Sequence, residues 1–490
     1  MSGRRASRGD SATWSVVWAF AGTVASRLLW LAALAVLARL IAPREFGLLA
    51  FALVYITYVE TIADLGTGAA LIYWPERREE AAQVTFVSNA VAGFAWCAIT
   101  LVAAPWIADF FNSPAGVPIL RALALSFPLK FLGTTHDALC QKEMRFRVRL
   151  VPEVAMALGK SLVAVGLALA GFGVWSLVWG QIAGLAAWTA ALWIVVPWRP
   201  KWSWPRDLAQ PMLSYGRGII AVNVLAAITH HADLVIVGRM LGARVLGLYQ
   251  MAYKVPEMAV IVSVWVVSKV LFPAFSRAHA AGEEVGALYV AALRWISLLA
   301  VPSSLGLALV AEPLVITLFG EPWRDAVPIL QALALYTGLR ALGAHAGDVL
   351  KATGRPGLLA AISIAKAAFM VPLLLLAVRS GPVAVALTMA GVTALTIFFN
   401  VVAVCRLTRA TPRALLASLR PSLLAGAGMA AVLLGWQRLA PAGEGLLALA
   451  TAVALGAASY LLLLRLMNPG LLPEMRQALA RRRAVAEVRP

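Results

Sequence analysis

Cysteine, acidic side chains and long polar stretches are what this sequence has least of. Its three cysteines, Cys97, Cys140 and Cys405, lie inside apolar segments with no paired spacing, so neither a disulfide framework nor a zinc site is indicated. Asp and Glu number 23 against 42 Lys and Arg, and charged residues of both signs make up only 13% of the chain. No loop is long enough for a soluble domain, and none carries a Gly-rich phosphate loop. There is no acidic cluster suited to a metal-dependent glycosyltransferase and no metalloprotease helix motif. These absences disfavour an enzyme, and nothing in the pattern calls for a cofactor or a metal. The N-terminus carries Arg4, Arg5 and Arg8 before a long apolar run. It lacks a short hydrophobic core with a small-residue cleavage site, so it reads as a cytoplasmic tail before a retained first helix.

What is present is apolar surface. At 490 residues, 61% hydrophobic and mean hydropathy +0.82, the chain is too apolar for an ordinary soluble protein. The apolar runs are continuous and of spanning length rather than alternating with period two, which favours helices over a β-barrel. Cutting at Pro, Gly and charge clusters gives about fourteen transmembrane segments. A net charge of +19 would point to nucleic acid in a soluble chain. Here the bases fall in short loops and tails, and no nucleic-acid partner is needed to explain them. Alternating the loops between two sides puts about 25 bases on one side and about 7 on the other, which places both termini in the cytoplasm.

Several stretches are written twice. Aligning Arg39 with Arg239 brings Arg44 onto Arg244, Gly47 onto Gly247 and Leu48 onto Leu248 without a gap. Val117-Pro-Ile-Leu-Arg-Ala-Leu-Ala-Leu125 is echoed by Val327-Pro-Ile-Leu-Gln-Ala-Leu-Ala-Leu335. Duplication at this spacing makes segments 1–6 correspond to segments 7–12. Six is even, so both copies enter from the same side and form parallel repeats. The expected fold is therefore an all-α polytopic membrane protein of two six-helix lobes plus two unpartnered C-terminal helices. The expected boundaries are a tail at 1–12, a first lobe at 13–197, a cytoplasmic linker at 198–211 and a second lobe at 212–407. The last two helices follow at 408–467 and a basic tail at 468–490. Such two-lobed architecture belongs to transporters, with substrate expected between the lobes near the midplane.

Charge within hydrocarbon costs at least about 2.5 kcal/mol per group, so ionisable residues inside segments are candidates for function. The bases are Arg27, Lys130, Lys160, Arg217, Lys254, Arg340 and Lys366; the acids are Glu60, Asp64, Asp233 and Glu257. Lys130 maps onto Arg340 through the repeat, and Lys160 falls close to the counterpart of Lys366. Bases outnumber acids, which fits a cavity for an anion. The competing explanation is local neutralisation, of Arg27 by Glu60 or Asp64 and of Lys254 by Glu257. The adjacent His230 and His231 point about 100° apart and do not chelate one ion together.

Gly247-Leu-Tyr-Gln-Met-Ala-Tyr-Lys-Val-Pro256, followed by Ser268-Lys-Val-Leu-Phe-Pro-Ala-Phe-Ser-Arg277, resembles the signature of Wzx-type polysaccharide transporters. These belong to the multidrug/oligosaccharidyl-lipid/polysaccharide exporter superfamily. Pro43-Arg-Glu-Phe-Gly-Leu-Leu-Ala50 with Asp64-Leu-Gly-Thr-Gly68 fits the same pattern. The resemblance runs from about Ser15 to about Arg409. It implies a MATE-like two-lobe bundle in the bacterial inner membrane that flips undecaprenyl-diphosphate-linked oligosaccharide repeat units by alternating access. The product would feed exopolysaccharide, capsule or O-antigen, alongside a polysaccharide polymerase and export machinery. On that footing Arg27, Lys130, Lys160, Lys254, Arg340 and Lys366 are expected to receive the diphosphate and anionic sugars, and Asp64, Asp233 and Glu60 to couple an ion or proton. A drug/cation antiporter of the same architecture should instead show an excess of cavity carboxylates. A membrane-embedded glycan polymerase, ligase or acyltransferase needs a catalytic constellation, usually on a substantial external loop, and the external loops here are short.

Overall fold

Apolar runs bounded by Pro, Gly and charge become long helices, because inside a bilayer the backbone must satisfy its own hydrogen bonds. A computed structural model of the chain describes residues 29–63, 66–74, 77–143, 145–261, 271, 274–439 and 445–468. Arg27 and Asp64, both expected to act in function, lie outside the described residues. Among the described residues there is no strand.

The first nine helices are α1 (Leu29–Leu40), α2 (Pro43–Ala63), α3 (Thr67–Tyr73), α4 (Arg78–Phe110), α5 (Val117–Leu123), α6 (Ser126–Lys142), α7 (Phe146–Leu169), α8 (Val174–Val195) and α9 (Arg206–Pro256). Next come α10 (Val285–Leu309), α11 (Ala311–Leu318), α12 (Val327–Gly343), α13 (Ala346–Ala352) and α14 (Pro356–Ala377). The chain closes with α15 (Pro382–Leu407), α16 (Pro412–Leu439) and α17 (Leu446–Met467). Proline opens α2, α14, α15 and α16, where its missing N–H leaves no intrahelical bond unmade.

The sequence leads to about fourteen spans, whereas twelve described stretches are long and apolar enough to cross a membrane. The difference lies in two places. One stretch, Asn223–Val260, contains two of the expected segments, with a break at Gly242, whose φ of 81° and ψ of 176° are non-helical. The first expected segment is described only from Leu29, as the short apolar helix α1.

The chain divides into two compact units, residues 1–247 with 484–490, and residues 248–483. In the first unit α7 packs along α8, and α6 lies against α4 and α8. Phe51, Phe127, Phe131, Leu37, Leu71 and Ile119 fill its interior. The two copies of the duplicated turn meet inside this unit, and they do so reciprocally. A Cβ on Gly47 would lie 1.6 Å from the Ala243 carbonyl oxygen, and one on Gly247 would lie 2.0 Å from the Pro43 carbonyl oxygen. Positions 43 and 243, and 47 and 247, thus exchange the same contact, as two-fold-related surfaces do.

In the second unit Trp323, Tyr289, Tyr336, Phe275 and Phe319 are the large buried side chains. α16 packs on α10 and α17 packs on α16. Gln437 Nε2 donates to the Leu309 carbonyl at 2.7 Å, and Tyr460 Oη donates to the Leu298 carbonyl at 3.1 Å.

Local structure also repeats. A 3-10 turn, Pro114–Gly116 or Glu321–Ala326, precedes each Val-Pro-Ile-Leu helix. The helices that carry Lys160 and Lys366 begin at Phe146 and Pro356, 210 positions apart. On that register Lys366 answers Met156, one helical turn before Lys160, so the two lysines share a face without being equivalent.

Candidate substrate-binding site

Basic side chains inside the spans fall into a different setting in each unit. In the first unit, α6 carries Lys130 between the buried Phe127 and Phe131. Its Nζ donates to Glu60 Oε2 of α2 at 2.5 Å, a pairing that joins residues 70 positions apart. Lys160 stands on the face of α7 that also buries Ala164 and Ala168. Its Nζ lies 3.9 Å from the centre of the Trp30 ring; Gly184 of α8 faces its Cβ and Gly180 its backbone carbonyl. Small residues at such a crossing let two membrane helices approach closely. Asp233 of α9 is fully buried, and its charge reaches Tyr58. That tyrosine donates to the Ala227 carbonyl at 3.2 Å and stands edge-on to His231 with ring centres 6.4 Å apart.

In the second unit three of the expected bases come together. Lys254 Nζ lies 3.2 Å from Glu257 Oε2 on the next turn, and a π-helical stretch, Glu257–Ile261, starts there. Pro256 accounts for the widening, since it has no N–H to bond the carbonyl one turn back; such bulges recur at functional sites. Arg340 of α12 donates through Nη1 to Tyr253 Oη at 2.8 Å. Its guanidinium carbon sits 5.9 Å from the Tyr253 ring centre and 5.6 Å from that of Tyr336, within cation–π range. The field of Glu257 reaches Arg340, and the charge of Arg340 bears on Lys366 of α14. Lys366 shares its helix face with Met370 and Leu374, the two buried residues of α14. The lysine therefore lies on the packed side of a helix that otherwise shows Ile364, Phe369 and Leu376 outward. Among the described residues no ion pair joins Arg340 or Lys366 to a carboxylate.

The tyrosines were not among the expected site residues. Tyr336 carried a signal, because it stands four positions before Arg340 and so on the same helix face. Tyr253 neighbours Lys254 in the motif, but its bond to Arg340 spans 87 positions and is tertiary. Two other histidines sit in different settings. His345 Nδ1 is 3.3 Å from Asp348 Oδ2. His136 packs between Trp193 and Trp198, with ring centres 4.8 and 5.2 Å away, while Asp137 accepts from Arg149 Nε at 2.6 Å. At the head of α9, the exposed Asp207 pairs with Arg77, which also pairs with Glu80. Hydrogen bonding to Arg77 holds the Asp207 carboxyl below the usual carboxylate range, and the two acids together raise the Arg77 guanidinium.

The architecture defines an all-helical, multi-pass membrane protein with bases inside its spans that outnumber the acids beside them. The fold is that of a solved structure titled "Lipid II flippase MurJ, inward closed conformation", with a TM-score of 0.78 at 13% identity, covering 93% of this chain and 100% of that one. Residues 36–328 match the family model described as "Polysaccharide biosynthesis protein", and the chain belongs to that family. Curated relatives include the lipopolysaccharide biosynthesis protein WzxC of Escherichia coli (strain K12), 26% identical over 72% of this chain and 73% of WzxC. The succinoglycan biosynthesis transport protein ExoT of Rhizobium meliloti (strain 1021) is 28% identical over 62% of each chain.

Proposed function

We propose that this protein carries lipid-linked oligosaccharide across the bacterial inner membrane, with undecaprenyl diphosphate as the lipid carrier and a polysaccharide repeat unit as the cargo. The observation that carries the reading is the cluster of Lys254, Arg340 and Lys366 in the second unit, opposed there by Glu257. Three cations against one carboxylate within membrane-spanning helices leave a positive excess that is costly unless a further anion joins them, and a diphosphate supplies that charge. Kinship with proteins named for polysaccharide biosynthesis and transport supports the same reading. A drug/cation antiporter would be expected to gather carboxylates instead.

The transport cycle presents the cluster to one side of the membrane and then to the other, by alternating access. Both termini face the cytoplasm, on the strength of the basic loops and tails. A polysaccharide polymerase and export machinery act downstream, and no chemical bond is made or broken on this chain. Asp233, buried in the first unit, is the described carboxylate proposed to couple an ion or proton to the cycle, while Glu60 is taken up by Lys130. Transport is tested with labelled undecaprenyl-diphosphate-linked oligosaccharide in proteoliposomes containing the full chain. Transfer between leaflets above the rate of protein-free vesicles is expected; an equal rate would refute the assignment.

A further inference from the structure

We infer that, of the two corresponding cations Lys130 and Arg340, Arg340 is the one that recognises the anionic headgroup, and that Tyr253 positions it. The inference rests on the lipid-diphosphate reading above and divides the work that the repeat would otherwise assign to both halves.

Lys130 and Arg340 correspond through the duplication, each borne by the helix region that follows a Val-Pro-Ile-Leu start. Their partners do not correspond. Lys130 is neutralised by Glu60 at 2.5 Å, and a neutral ion pair offers an incoming diphosphate no net charge. Arg340 is held by the Tyr253 hydroxyl at 2.8 Å and by two tyrosine rings, which orient a guanidinium without cancelling its charge. At the positions of Tyr253, Tyr336 and Glu257 the first copy has Leu53, Ser126 and Thr57. The tyrosine cradle therefore belongs to one copy only. Lys366, on the packed side of α14 with Met370 and Leu374, is the second cation put to the test. Like charges within membrane-spanning helices are relieved when an anion joins them. A guanidinium takes a phosphate through two parallel N–H donors, so its orientation matters as much as its charge. The Tyr253 hydroxyl fixes that orientation, taking one Nη1 hydrogen of the five N–H donors a guanidinium carries.

The test uses the full chain in nanodiscs, titrated with undecaprenyl diphosphate and, as the uncharged probe, undecaprenol. Wild-type protein is expected to bind the diphosphate lipid more tightly, in a salt-dependent way. Arg340→Gln and Lys366→Gln should each weaken diphosphate binding about tenfold, the loss expected for a hydrogen bond to a charged group, and leave undecaprenol unaffected. Arg340→Lys should recover part of that loss, because it restores the charge without the fork. Tyr253→Phe keeps the ring and loses the hydroxyl; it should weaken diphosphate binding several-fold alone and add nothing to Arg340→Gln. The joint replacement Lys130→Gln with Glu60→Gln should change binding less than about twofold, since it removes a neutral pair. Three results would overturn the inference: a tenfold loss from that joint replacement with Arg340→Gln near wild type, equal weakness of Arg340→Lys and Arg340→Gln, or multiplying losses for Tyr253→Phe and Arg340→Gln. A wild-type protein that fails to prefer undecaprenyl diphosphate over undecaprenol would defeat the substrate reading itself, whichever cation the variants point to.

Discussion

Lys130 and Arg340 stand at corresponding places in the two copies, yet one meets a carboxylate and the other meets two tyrosines. Around them the copies agree closely: each has a 3-10 turn before the helix, a buried histidine beyond the cation, and a next helix starting 210 positions apart. The duplication has kept the order of local features and changed the partners. The Lys130–Glu60 pair joins two helices, whereas tyrosines hold Arg340 without forming an ion pair, which leaves its charge to meet a ligand. Position in a repeat is thus a guide to depth and direction, and the partner decides the role.

That comparison can be broken most forcefully at the shared scaffold. Gly47→Val or Gly247→Val places side-chain atoms against a carbonyl of the other copy, where even a Cβ comes within 1.6 or 2.0 Å. Overpacking against backbone costs about 3 kcal/mol or more, so both variants should lose the monodisperse peak in size-exclusion chromatography. If one glycine tolerates valine and the other does not, the contact is not reciprocal in energy.

A smaller effect tests the pairing. Lys130→Gln leaves Glu60, only 20% exposed, without its cation, and should destabilise the protein by about 1–3 kcal/mol. Adding Glu60→Gln should recover much of that loss in thermal unfolding. Were Arg340→Gln to destabilise the protein as much, the two cations would differ less than their partners indicate. Smaller again is Trp30→Leu, which removes the ring beneath Lys160 and should cost about 0.5–2 kcal/mol.

The smallest effect is expected at the exposed Arg77–Asp207 pair. Since Arg77 lowers the Asp207 pKa on folding, the contribution is present above the ordinary carboxylate range and is lost as pH falls through the lowered value. Asp207→Asn should therefore shift thermal unfolding slightly at neutral pH and low salt, and not at all in high salt or well below pH 4, because exposed pairs are screened. A shift that persists in acid or high salt would mean that the side chain matters for something other than the ion pair.

Much of the fold is legible from residues alone. Proline and glycine mark helix ends because they alter the backbone directly, as at Pro356 and Gly381. The Lys254–Glu257 pair follows from helical spacing. The count of spans is less legible, because the run through Gly242 looks like a loop in the sequence and is a break between abutting helices in the structure. The near match of Lys160 with Lys366 shifts by a turn once the helix starts are known, and their surroundings differ accordingly: Trp30 for one, Arg340 for the other.

By itself, then, the sequence determined that the chain spans a membrane many times, that it is built from two copies of one pattern, and that its interior charges are mostly basic. Those properties follow from composition, spacing and repetition, which need no knowledge of what lies across the bundle. Only the tertiary structure decided which charges meet which partners. Glu60 reaches Lys130 across 70 positions and Tyr253 reaches Arg340 across 87, and no local pattern encodes either meeting. The field around an ionisable group depends on everything packed about it, so a cation that looks the same in both copies became part of the framework in one and a proposed ligand site in the other.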